Sequence, residues 1–295
     1  MAMKMMNNPL NTMRNTTKIM TAKKAKISQH HGEHIDAVMD AQAFINEHVE
    51  NIVSDSRFLH TVQTDVVFQK KESYKANVHA FINGDPDFGI LSLIVSDKNQ
   101  EHNFFASAYP VFFGKGRKVV IEKVWVWDNL FEATVQCTVN DVPVTFFAAD
   151  YYANKDKYQP GAEVELKLGA WGLHVDEAQH GFDMEGQAAV DFLAKSGDKP
   201  EYDEDGNVKP LHFDTTELVA FLQFNEAYPD VAEFQSPSGV VRKREYLDIA
   251  FSETEICIDP EEEVMLPLVF RKEFLPKAKK GTPLSGHLWV VGKLA

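Results

Sequence analysis

Three short stretches hold residue types that could do chemistry. HHGEH at 30–34 sets His30 and His34 four residues apart, a spacing that lets two imidazoles share a metal on one helix face. The order departs from H-E-x-x-H, because Glu33 stands beside the second histidine. His174, Asp176, His180 and Asp183 crowd together and are suited to proton transfer. Acids are so common in that neighbourhood that the crowding needs no catalytic reason. EYDEDGNVKPLH at 201–212 places Glu201, Asp203, Asp205, Gly206 and Val208 at calcium-loop offsets. His212 stands where a bidentate Glu is required, and Pro210 breaks the exit helix, so an Asp-Gly-Asn turn is the simpler account. No catalytic residue, metal or cofactor is assigned.

Nucleophiles are equally sparse. Cys137 lies on the apolar stripe of a strand, and Cys257 falls between Glu255 and Asp259 by strand parity. Both settings raise a thiol pKa rather than activate it. No G-x-S-x-G occurs, and GKGRK at 114–118 lacks the phosphate-loop pattern. That basic turn has Phe112 and Phe113 before it and Trp125 and Trp127 after it, so charge and stacking could grip a single strand.

The 295 residues carry 30 basic and 44 acidic side chains, a net charge of −14. Residues 1–30 hold six bases and no acid, whereas residues 174–264 hold 6 bases and 23 acids. Such a body repels a phosphate backbone at long range. No apolar run reaches the roughly 18–20 residues that cross a bilayer, so no membrane is expected. Two cysteines argue against a disulfide scaffold, and no apolar secretory leader is evident, which together point to the cytoplasm.

The positioning elements follow from periodicity. Ile35, Val38, Ile45, Val49 and Ile52 predict an amphipathic helix over 34–57. From residue 61 the spacing changes to two, and strands follow one another with short turns. Phe131, Ala133, Val135, Cys137 and Val139 alternate with polar residues, as in a half-buried antiparallel strand. GAEVELKLGAWG (161–172) and GTPLSGHLWVVG (281–292) close two β-rich parts alike, each with a Gly at both ends. Trp171 shares parity with Glu165 and Lys167, and Trp289 with Ser285 and His287, opposite the apolar stripe. Either these tryptophans form a binding face or a second layer covers them.

A strand pair, a loop and a Gly-opened closing strand, over 117–173 and less fully over 238–294, resemble the five-stranded oligonucleotide/oligosaccharide-binding (OB) barrel. The fold expected is mainly β with minor α: one or two small OB-like antiparallel β-barrels, an N-terminal amphipathic helix and an acidic α/β connector. The divisions expected are a disordered basic tail (1–32), a helix plus barrel-like domain (33–173), the connector (174–230) and a second barrel-like unit (231–295). The function expected is non-enzymatic binding or assembly, with a protein partner meeting an acidic surface and an aromatic barrel face. Lys115, Arg117, Lys118, Trp125, Trp127, Trp171 and Trp289 are the candidate contact residues. Single-stranded nucleic acid is the alternative ligand, and an enzyme built on the 174–185 His/Asp cluster is the third reading.

Overall fold

A computed structural model describes residues 29, 32–40, 44, 49–68, 72–96 and 103–295. The basic segment at 1–28 and His30 lie outside them. Two short helices open the described chain, α1 (Gly32–Ile35) and α2 (Val49–Ser54). Of the helix expected over 34–57, residues 41–43 and 45–48 lie outside the described residues, and the described remainder is not one continuous helix. The chain turns after Ile35, and a strand is already running at Arg57. The reason is burial: Ile35, Ala37, Val38 and Met39 are all in the core, leaving no polar helix face between them except Asp36. A segment buried nearly all round plugs a gap instead of lying on a surface.

Strands dominate the remainder. β1 (Arg57–Val66), β2 (Tyr74–Asp85), β3 (Phe88–Ser96) and β4 (Asn103–Phe112) form a four-stranded antiparallel meander. β5 (Gly116–Val126), β6 (Ala133–Val139) and β7 (Val142–Ala148) follow as hairpin neighbours. The short helix α3 (Tyr151–Asn154) leads to the long strand β8 (Glu163–Glu177). The connector carries β9 (Gly181–Met184), α4 (Gly186–Ser196), β10 (Leu211–Asp214) and β11 (Ala220–Leu222). The chain ends with β12 (Val231–Pro237), β13 (Arg242–Tyr246), β14 (Ile249–Asp259), β15 (Val264–Arg271) and β16 (Pro283–Leu294). The fold is mainly β.

The ten-stranded sheet contains two closed circuits of pairing. β5, β6, β7, β16 and β8 pair in that order, and β8 returns to β5. β14, β15, β8, β16 and β12 pair likewise, and a Ser238–Ile256 bridge ties the end of β12 back to β14. The two circuits share β8 and β16. In each, one junction is parallel: Phe147 with Val291, and Val269 with Trp171. The turn before each shared strand is built alike. Gly161 and Gly281 both adopt φ +83°, a left-handed conformation that favours glycine. Gly161 N–H donates to Ile121 O, and Ile121 N–H donates to Ala162 O; Gly281, Ser238 and Thr282 repeat the pattern. The similar strand endings in the sequence therefore match in space. A division at residue 173 would cut through β8.

Two apolar clusters follow from this plan. One fills the space enclosed by the circuits, with Ile121, Val135, Cys137, Phe146, Leu168, Ile256, Leu266 and Leu288. The other lies between the meander and the outer face of the shared ribbon. Trp171 and Trp289 are directly opposite each other on β8 and β16, both fully buried in that second cluster. Phe88 stacks on Trp171 at 5.4 Å, and His34 stacks on Trp289 at 4.0 Å. The Trp289 indole N–H donates to Asp230 at 2.9 Å.

Two substitutions test this packing. A Cβ at Gly169 would collide with the Phe112 carbonyl oxygen where β4 passes β8. Gly169→Ala should cost about 1–3 kcal/mol. Asp230→Ala leaves a buried indole N–H without that acceptor and should also cost about 1–3 kcal/mol. Urea unfolding measures both; an unchanged midpoint for either would refute the corresponding contact.

Candidate functional site

The aromatic barrel face predicted from the sequence is not a surface. Trp171 and Trp289 are covered by the meander and the α1 segment, which supply the second layer that their parity required. Trp127 is buried as well, its indole N–H 3.2 Å from Thr134 Oγ1, and Trp125 is half-buried. A covered ring cannot stack on a base, so Trp127, Trp171 and Trp289 are core and not contact residues, whereas Trp125 keeps part of its ring exposed. The basic turn fares differently. Lys115 and Lys118 are exposed, while the Arg117 guanidinium crosses to donate to the Met265 carbonyl at 2.7 Å. Burial lowers the Arg117 pKa, and the Glu255 charge works against that shift. Arg117 is therefore a strut between the two halves of the sheet.

The His/Asp cluster does not converge. His174 pairs with Asp176 at 2.6 Å, His180 with Glu177 at 3.2 Å and His212 with Asp183 at 2.8 Å. All six side chains are at least half exposed, so each pair is solvated and worth little. Among the described residues no group of three His, Cys, Asp or Glu could hold a metal ion. In the calcium-like stretch the Asp203 carboxylate accepts hydrogen bonds from the Asp205 and Asn207 backbone N–H groups. The loop closes on itself as an Asx turn.

The feature that sequence reasoning missed lies in the connector. β9 and β10 pair as an antiparallel ribbon, with Phe182 opposite Phe213. Their rings stack at 5.0 Å, and Phe192 of α4 meets Phe213 edge-on at 5.1 Å. Phe182 is 50 % exposed and Phe192 42 % exposed. Leu218, Leu222 and Phe224, in and on either side of β11, are exposed as well. The segment that carries them is strongly acidic: residues 174–230 hold 14 acids against 3 lysines. Asp183, Asp191 and Asp214 flank the aromatic side chains in the chain and are exposed. Nothing periodic marks this patch, because Phe182, Phe192 and Phe213 belong to three short elements.

Neither cysteine is built as a nucleophile. Burial pushes the Cys137 thiol up to about 12. Burial also raises Cys257, and the Asp259 and Glu263 charges add to the rise. At pH 8 a thiol of pKa 12 is ionised to only about one part in 10⁴. Ellman's reagent on the native chain should therefore titrate at most one thiol, slowly, and two after denaturation. Rapid reaction of both native thiols would contradict the burial of Cys137.

No family model, curated protein or solved structure matches this chain.

Proposed function

We propose that this chain is a non-enzymatic binding and assembly module whose acidic connector meets a protein partner. The observation that carries the reading is the Phe182–Phe192–Phe213 cluster, with Phe182 and Phe192 exposed, within a strongly acidic segment. Exposed aromatic groups held together at ring-contact distance are costly in water unless something covers them part of the time. Aromatic side chains supply contact area, and the acidic rim supplies orientation and rate through complementary charge. The partner's matching surface is accordingly basic around an apolar centre.

The two pairing circuits are read as OB-like barrels that share two strands. Five strands per circuit, one parallel junction and a short helix before β8 support this reading. In this chain the barrels act as a rigid mount, because their outer ribbon is sealed by the meander. Single-stranded nucleic acid has less in its favour: Trp127, Trp171 and Trp289 are buried, and the exposed Phe182 and Phe192 belong to an acidic segment that repels phosphates.

The double variant Phe182→Ser/Phe192→Ser tests the proposal. Both side chains are well exposed, so folding should persist. Recovery of nuclease-resistant protein partners from native lysate should fall at least tenfold against wild type at moderate salt. Cross-links should concentrate on the connector lysines, Lys195, Lys199 and Lys209. Equal recovery by wild type and variant would sink the reading.

A further inference from the structure

A second surface stands apart from the connector. The tip of the β2–β3 hairpin and the end of β4 face the β13–β14 ribbon across a cleft of about 560 Å³. That is within the range of ligand sites. Phe88, Phe112, Phe113 and Pro267 line one part, and Val240, itself 60 % exposed, lines another.

The charges in the lining sort into two groups. Some are already spent on each other. Arg244 lies over the Phe88 ring at 4.5 Å and donates through Nε and an Nη to Glu253, at 2.7 and 2.6 Å. Asp87 receives Lys167 at 3.1 Å and Lys293 at 2.8 Å. Burial disfavours the Asp87 charge, yet the hydrogen bonds from these lysines hold its carboxyl below the usual range. The others are exposed and have no ion-pair partner within 4 Å among the described residues: Lys115, Arg242, Asp85 and Glu255. Glu255 acts on Arg117 only at longer range.

Two unpaired cations and two unpaired anions on one apolar-floored cleft constrain the ligand. A ligand of one sign meets as much repulsion as attraction there. A ligand carrying both signs beside apolar side chains does not. β13 also ends the sheet, so its far edge has no strand neighbour among the described residues. Such an edge offers main-chain hydrogen bonds, and charged residues such as Arg242, Lys243 and Glu245 select what pairs with it.

We infer that this cleft is a peptide-binding site for an extended, mixed-charge segment of another protein, with apolar residues between its charges. The inference rests on different residues from the connector reading.

The probe is a random dodecapeptide library panned on the full chain, with enriched peptides titrated by fluorescence anisotropy. The enriched peptides should carry both acidic and basic positions around an apolar centre. Arg242→Glu should weaken them at least tenfold, and Lys115→Glu should act in the same direction. Both side chains are exposed, and an unchanged thermal melt would verify folding. Exchanging the peptide's acidic position for lysine should restore binding to Arg242→Glu. Phe182→Ser/Phe192→Ser should leave these affinities unchanged, which separates this site from the connector. The inference is overturned if no peptide is enriched or if enriched peptides bind wild type and Arg242→Glu equally. It is also overturned if the enriched peptides carry charge of one sign only. A fluorescein-labelled oligothymidylate whose binding depends on Arg242 would overturn it too, by making the cleft a phosphate site.

Discussion

The pairing of β8 with β16 is the contact on which everything else depends. Eleven residue pairs join the two strands, from Leu284–Glu177 to Leu294–Leu166. Each strand follows one half of the sheet in the chain and closes the circuit of the other half. β8 follows β7 yet meets β15; β16 follows β15 yet meets β7. Neither circuit can enclose its apolar interior with strands from its own half alone. The two halves are therefore coupled in folding, and the coupling joins residues more than a hundred positions apart. Such non-local pairing bears its loop-closure entropy before it gains contacts, which predisposes a chain to slow folding.

The same ribbon decides the second layer. A directly opposed antiparallel pair points both side chains to one face, so Trp171 and Trp289 emerge together. That face is too apolar to leave in water, and the meander and α1 segment close over it. The two indoles are not equivalent. Trp289 donates to Asp230, whereas the buried Trp171 Nε1 and Ser92 Oγ have no hydrogen-bond partner among the described residues. An unmet buried donor of this kind costs about 1–3 kcal/mol, which the surrounding aromatic packing must offset. Phe88 and Phe251 supply that packing on the Trp171 side, and Phe147 on the Trp289 side.

Both proposed surfaces lie where this frame has finished its structural task. The connector leaves the sheet between β8 and β12 as a small ribbon and helix of its own, so Phe182, Phe192 and Phe213 pack on one another and not in either large apolar cluster. The cleft forms where the meander's tip meets the β13–β14 hairpin at the end of the sheet. Rigid elements hold the lining residues in both places: stacked rings in the connector, and the Arg244–Glu253 pair over Phe88 in the cleft.

Local chemistry determined much by itself. Alternation along β6 placed Cys137 inside, and it is inside. Two Gly-opened strands announced two similar closures, because a left-handed turn favours glycine at Gly161 and Gly281. The parity of Trp171 and Trp289 correctly separated them from the apolar stripe. Tertiary structure alone decided what lay across from each face. A period of two says which side chains share a face, but not which strand lies beside it or what covers it. That is why the tryptophans could be read as a binding platform and proved to be core. It is also why the helix predicted over 34–57 gave way: helical spacing describes one buried face, and the packed interior buried Ala37, Val38 and Met39 together. The Phe182, Phe192 and Phe213 cluster lay beyond sequence reasoning for the same reason, since proximity across three elements leaves no mark in their spacing.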